Sequence, residues 1–125
     1  MSIISIPRNL TGNEFEKLNR IWDANKNVSI LLPEEFSDVE VEQIFKLLLS
    51  RLPNEFAFCV LENFAEQQKV SMNLLRDLFD HGDTGCCVTI CLRDNLTRDL
   101  VERCMSSNNN EVREHFLRKS NRENQ

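Results

Sequence analysis

The sequence predicts a mainly α-helical chain of about three stacked helix pairs, behind a short N-terminal helix with extended segments. Three observations predict it. First, a spacing of 26 residues maps Val70, Ser71, Leu74, Leu75, Leu78, Cys86 and Ile90 onto Leu96, Thr97, Leu100, Val101, Cys104, Val112 and Phe116. A weaker copy lies upstream at Ile44, Leu48, Leu49, Leu52, Val60 and Phe64. A period of that length is how stacked supersecondary units show themselves. Second, Thr11-x-x-Glu14 and Ser37-x-x-Glu40 have the spacing of a capping box ahead of apolar residues three and four apart. Third, the last copy runs Val112-Arg-Glu-His-Phe-Leu-Arg118, whose charges suit an amphipathic helix better than a buried strand.

Taken in order, Ile3 to Ile6 followed by Pro7 reads as a short extended start. Thr11 and Glu14, with Phe15, Leu18 and Trp22 at helical intervals, predict a helix from about 12 to 24. Val28 to Leu32, closed by Pro33, is a second short apolar run. Ser37 opens a helix with Val41, Ile44, Phe45, Leu48, Leu49 and Leu52 on one face before Pro53. A helix over about 55–66 is followed by one from Ser71 to Asp80, with Gly82 placed for a left-handed residue at its end. Residues 85–93 form the next element, Thr97 caps a helix to about Met105, and Ser106 to Asn110 is a polar turn. A last helix passes through Val112, Phe116 and Leu117 into a polar tail, of which 121–125 is expected to fray.

The run Cys86-Cys-Val-Thr-Ile-Cys-Leu92 is apolar apart from Thr89, and periodicity alone does not assign such a run to strand or buried helix. Were it a strand, Ile3 to Ile6, Val28 to Leu32 and Phe56 to Leu61 would join it in an α/β arrangement with a parallel sheet. Helix is the favoured reading, and the α/β arrangement is the alternative.

The chain has 125 residues and 41% hydrophobic content, enough for a single domain over 1–120 that needs no metal or disulfide. Within it, 1–40 is expected to act as an N-terminal capping segment and 41–120 as the helical repeats. No stretch has the roughly 18 uninterrupted apolar residues of a membrane span. The opening Met1-Ser-Ile-Ile-Ser-Ile-Pro7 lacks a basic leader and a cleavage site, so a cytoplasmic location is expected. Five cysteines, an odd number, then favour free thiols over a disulfide framework.

The net charge of −5 is uneven: residues 1–66 carry eleven acids against six bases, and 67–125 carry nine of each. Glu34, Glu35, Asp38, Glu40 and Glu42 are five acids in nine residues without a base. Nucleic-acid binding is driven by cationic side chains that displace counterions, so this balance has the wrong sign for it. A basic protein partner fits better.

The residues Asn95-x-Thr97-x-x-Leu100-Val101-x-x-Cys104, followed by Asn110-Glu-Val112-Arg113-x-x-Phe116 and Asn121, resemble a variant leucine-rich repeat, itself similar to HEAT repeats. The likeness covers 70–121 well, 44–66 loosely and the first 40 residues not at all. It departs from the family pattern in lacking a Pro near Thr97 and in the long connection between Asn63 and Ser71. It implies a short and a longer helix packed into each layer, and it implies no particular activity. A small acidic protein of this type also resembles bacterial toxin-immunity proteins, by size, charge and architecture alone.

Candidate chemistry is sparse. Cys86, Cys91, Cys104 and His115 nominally supply four soft ligands, but no close C-x-x-C pair is among them. In the repeat register Cys86 takes the place of Val60 and Val112, Cys104 that of Leu52 and Leu78, and Cys91 that of Leu117. They read as small apolar core residues. Asp80-His81-Gly82-Asp83 reads as a polar turn, and His115, among charged neighbours, as solvated. The sequence has no phosphate-binding glycine loop, G-x-S-x-G or H-E-x-x-H motif. The expectation is therefore a protein that is not an enzyme and takes no cofactor or metal.

Binding surfaces remain. On a helix over 85–93, Val88 and Leu92 point away from the stripe defined by Cys86 and Ile90. Their equivalents in neighbouring copies are Glu62 and Glu66, then Glu114 and Arg118, so a small apolar centre would have a charged rim. The expected function is noncatalytic protein binding, with an inhibitor or immunity protein of a nuclease-like toxin as its concrete form. Its expected contact residues are Glu34, Glu35, Asp38, Glu40 and Glu42, with Glu62, Glu66, Val88 and Leu92. A small α/β enzyme or ligand-binding domain, with a pocket near Pro33-Glu34-Glu35, and a general helical-repeat scaffold are the alternatives.

Overall fold

Local signals in the chain place its helices, and burial decides which faces turn inward. The structure, a computed structural model, describes residues 3–32, 36–66 and 70–123. They fall into two compact units, 1–70 and 71–125.

In the first unit, β1 (Ile3–Ser5) and β2 (Ser29–Leu31) pair in parallel, Ile4 opposite Ile30. Between them runs α1 (Gly12–Ala24), followed later by α2 (Asp38–Ser50) and α3 (Glu55–Glu66). Thr11 caps α1 by accepting from the Glu14 amide at 3.2 Å. The return arm of the expected capping box differs, because the Glu14 carboxylate accepts from the Thr11 hydroxyl at 3.1 Å. At α2 both arms form: Ser37 Oγ accepts from the Glu40 amide at 3.1 Å, and Glu40 Oε1 accepts from the Ser37 amide at 2.9 Å. Asn54 closes the turn before α3 by accepting from the Ala57 amide at 2.9 Å.

Helix α3 is the centre of this unit. Phe56, Ala57, Val60, Leu61, Phe64 and Ala65 are all buried, a stripe wide enough to face two partners. Phe15 and Trp22 of α1 approach Phe56 with ring centroids 5.5 and 5.8 Å away, and Phe36 and Phe45 approach Phe64 at 5.3 and 5.5 Å. Tilted and edge-on aromatic pairs of this kind add to the area they bury. Charges lie outside: Lys26 sits 3.0 Å from Glu55 and covers the Trp22 ring, and Arg51 sits 3.3 Å from Glu16 over Phe15.

The second unit holds α4 (Met72–His81), α5 (Thr84–Cys91), α6 (Arg98–Met105) and α7 (Asn110–Glu123). The fold is mainly α, as the sequence predicts. Residues 84–91 are helical, which decides the strand-or-helix alternative. Among the described residues the sheet is limited to its two three-residue strands, so the parallel-sheet alternative falls. The run is apolar on every side because α4, α6 and α7 all pack on it, and no residue of α5 is exposed.

The 26-residue spacing has a partial counterpart in burial. Leu78 and Cys104, Cys86 and Val112, and Ile90 and Phe116 are buried at both positions. On α4, however, Leu75 is the buried member of its Leu74-Leu75 pair, whereas on α6 Leu100 is buried and Val101 half-buried. The inward face of α6 is thus rotated by about 50 degrees relative to that of α4, half of one residue's turn, since Leu78 and Cys104 still correspond. Polar contacts join residues at similar separations. Arg76 donates to Asp99 through Nε at 2.7 Å and Nη2 at 3.0 Å, Arg103 reaches Asp80 at 2.6 Å, and Asn109 donates to Thr84 at 2.8 Å.

Four expectations need correction. Gly82 has φ −78° and ψ 166°, so its backbone is extended and not left-handed. Glycine is required there by space: a Cβ would lie 2.6 Å from the Leu78 carbonyl oxygen and 2.7 Å from the Cys86 Cβ. Thr97 occupies the cap position of α6 but makes no side-chain cap bond, because its hydroxyl donates to Asp99 at 2.6 Å. Helix α7 continues through residue 121 to Glu123. Lys119 supports this last stretch by donating to the Arg93 carbonyl and lying 3.9 Å from Asp94.

The fourth correction concerns the thiols. Cys91 and Cys104 are fully buried, as core residues should be, yet they are joined in a disulfide. Packing brings the last residue of α5 against α6 within the cluster of Val112 and Phe116. Cys59, Cys86 and Cys87 carry no disulfide.

Gly82→Ala is expected to lower unfolding stability by about 1–3 kcal/mol, the usual range for an overpacked site, as read from urea or thermal melts. A second expectation concerns pH. The Asp99 carboxyl is held well below the usual carboxylate range, first by Arg76 and then by the Thr97 hydroxyl. A carboxylate depressed in the folded state adds stability above its unfolded value and loses it as pH falls. Asp99→Asn should therefore be less stable than the parent chain above about pH 5, and the gap should start to narrow only below about pH 4 and keep narrowing as the pH falls further toward the depressed folded-state value. A gap that stays constant through acid would show that Asp99 adds nothing through its charge.

Candidate protein-binding surface

The inward stripe of α2 is Val41, Ile44, Phe45 and Leu48, all buried. At 100 degrees per residue the opposite face then carries Val39, Gln43 and Lys46, with Glu42 at its edge and Asp38 on the flank about 70 degrees from the stripe, all exposed. Val39 is 62% exposed, an apolar side chain with Glu42 and Gln43 one turn ahead of it. Glu42 lies 3.3 Å from Lys46, a solvent-exposed pair of the kind that constrains a side chain little. Asp38 sits in the first turn, where the amide dipoles of the helix favour a negative charge. This face therefore presents an apolar centre with the Glu42 carboxylate beside it, and Asp38 on the adjoining flank.

The structure separates the five acids that the sequence groups together. Glu34 and Glu35 lie outside the described residues. Asp38 and Glu42 lie one helical turn apart on one flank of α2, Glu42 nearer to its outer face. Glu40 projects from another side, and its carboxylate is occupied by the Ser37 amide, which holds it below its ordinary value together with the Ser37 hydroxyl and the positive charge of Arg8. Its role is to cap α2. The bare run of acids in the sequence also acquires bases in space, Lys46 at Glu42 and Arg8 toward Glu40.

Among the other expected contact residues, Glu62 is half-buried on α3 and Glu66 is exposed at its end. Val88 and Leu92 do not form the expected exposed pair. Val88 is half-buried against the cluster of Cys91, Cys104, Val112 and Phe116, whereas Leu92 is 46% exposed. The side of α5 opposite Cys86 and Ile90 is occupied because α7 packs there. Val39 is the surface residue that sequence reasoning missed. Its signal was position: two residues before Val41, it falls about 200 degrees from the buried stripe.

The candidate chemical groups are engaged in structure. Cys91 and Cys104 are bonded to each other and so cannot serve as thiolate ligands. Burial, aided by Asp83 and Asp80, pushes the Cys87 thiol up to about 11, which keeps it protonated and unreactive at neutral pH. Asp80 holds Arg103 at 2.6 Å, and Asp83 caps α5 by accepting from the Cys86 amide at 2.9 Å. Among the described residues, no three His, Cys, Asp or Glu side chains gather where they could hold a metal ion.

These placements give separate roles to neighbouring residues. Ser37→Ala, which removes one arm of the capping box, should lower stability by about 0.5–2 kcal/mol in chemical denaturation. Glu42→Gln should stay within about 0.5 kcal/mol of the parent chain. Equal losses at the two positions would mean that Glu42 is structural and not part of a presented surface. Comparison of the chain with protein-family models, with curated proteins and with solved structures finds no match in any of the three.

Proposed function

We propose that this chain is a noncatalytic protein-binding domain that takes a basic partner protein on the outer face of α2. The observation that carries the proposal is the exposed Val39 with Asp38 and Glu42 beside it on a capped helix. Apolar side chains at the centre of a patch supply contact energy once water is excluded, and charged rims steer the approach and select the partner. The surrounding sequence adds to this: the first unit, residues 1–70, carries eleven acids against seven bases. No enzyme activity, cofactor, nucleic acid or membrane enters the proposal.

In its narrower form the proposal is an inhibitor or immunity protein that neutralises a nuclease-like toxin. A nuclease holds phosphates with basic side chains, and carboxylates on a helix turn can occupy the same positions. The packing of α5 on both α4 and α7 is what a HEAT-like or variant leucine-rich repeat layer would produce, and it supports that part of the reading. A cytoplasmic setting belongs to the same proposal. No helix among the described residues is long and apolar enough to cross a membrane.

The test is affinity capture on the immobilised chain at low and high salt, followed by mass spectrometry and titration of the captured protein. A basic protein bound at low salt and released at high salt is the expected result. Asp38→Lys with Glu42→Lys should then weaken binding about tenfold or more at low salt, chiefly through slower association. Val39→Ser should weaken it at both salt concentrations, through faster dissociation. Binding unchanged by all three substitutions would remove the outer face of α2 from the function.

A further inference from the structure

Helix α6 is short and buries few side chains, packing on α7 and α5. It has eight residues, well below the roughly 12–15 at which an isolated helix becomes even marginal in water, so packing must keep it folded. Its buried side chains are Leu100 and Cys104. Its polar attachments to α4 are the two-pronged Arg76–Asp99 pair and Arg103 with Asp80, both partly exposed to solvent that screens them. Its cap residue Thr97 makes no side-chain bond to the helix amides.

Against this, Cys104 is joined to Cys91, the last residue of α5, across 13 positions of sequence. The closed loop contains the whole α5–α6 connection and all of α6 except Met105. A cross-link over a loop of this size restricts the opened chain and disfavours opening by about a hundredfold. Cys87, one helical turn before Cys91 and packed against the same cluster, has its thiol hydrogen-bonded to the Phe79 carbonyl at 3.4 Å. The neighbouring sulfur is thereby engaged away from the bond.

We infer that the Cys91–Cys104 disulfide is a redox-dependent latch that keeps α6 docked in the second unit. A dithiol reductant opens it in a two-electron exchange. The S–S bond breaks, Cys91 and Cys104 each gain a hydrogen, and the dithiol closes to its own disulfide. Because both sulfurs are fully buried, the reductant reaches them only when the unit opens locally, so the latch releases slowly. Once released, α6 exchanges between docked and undocked states, and undocking uncovers Leu96, Val112 and Phe116 of the cluster.

The test is hydrogen exchange read by mass spectrometry on the full chain, before and after treatment with dithiothreitol. Thiol alkylation of the unfolded chain counts the disulfide: three modified cysteines in the air-purified protein and five after reduction. The expected result is that amides of residues 99–106 exchange about a hundredfold faster in the reduced protein, while those of α2 and α3 keep their rates. Five modifiable thiols before reduction would overturn the inference, because no latch would exist. Unchanged exchange at 99–106 after complete reduction would overturn it as well, since Leu100 and the ion pairs would then suffice. Loss of protection throughout the chain would also overturn it, by making the bond a staple of the entire fold.

Discussion

Each unit is organised by one helix too apolar to face water, and the placement of its neighbours follows from the need to cover it. In the first unit that helix is α3, with no exposed residue between Phe56 and Ala65. In the second it is α5, with no exposed residue at all. Removal of such surfaces from water is the main favourable contribution to folding, at roughly 25 cal/mol per Å². Helices α1 and α2 lie on α3, and α4, α6 and α7 lie on α5. The covering helices are amphipathic because they have one side to give.

The same constraint explains how surface and structural charges divide. A carboxylate at a helix start satisfies amides that have no partner within the helix, and Glu40 and Asp83 are used in this way, as is the side-chain carbonyl of Asn54. A carboxylate half a turn away has no such demand on it and is available to another molecule. Asp38 and Glu42 are in that position on α2. Acidity in the sequence is therefore not equivalent to acidity offered at the surface, and the five acids of 34–42 illustrate the difference.

The two units use different means to hold peripheral helices. In the first, aromatic rings do it, Phe15 and Trp22 against Phe56 and Phe45 against Phe64. In the second, aromatic side chains are few and α6 buries Leu100 and Cys104 fully and Val101 in part. The ion pairs of Arg76 and Arg103 orient this helix, and the Cys91–Cys104 bond confines it. A small apolar contribution makes covalent restraint matter more, which is why the oxidation state of two buried sulfurs can govern one helix.

What the sequence determined by itself was local. The starts of α1 and α2 were legible in Thr11-x-x-Glu14 and Ser37-x-x-Glu40, because caps depend on residues three apart and on nothing distant. Helical faces were legible from spacing, so Val41, Ile44, Phe45 and Leu48 fell inside as expected, and Asp38 and Glu42 could be named as candidates. Tertiary structure alone decided matters that depend on residues far apart in the chain. It packed α7 over the side of α5 that Val88 faces, made Gly82 a requirement of space between Leu78 and Cys86, and joined Cys91 to Cys104.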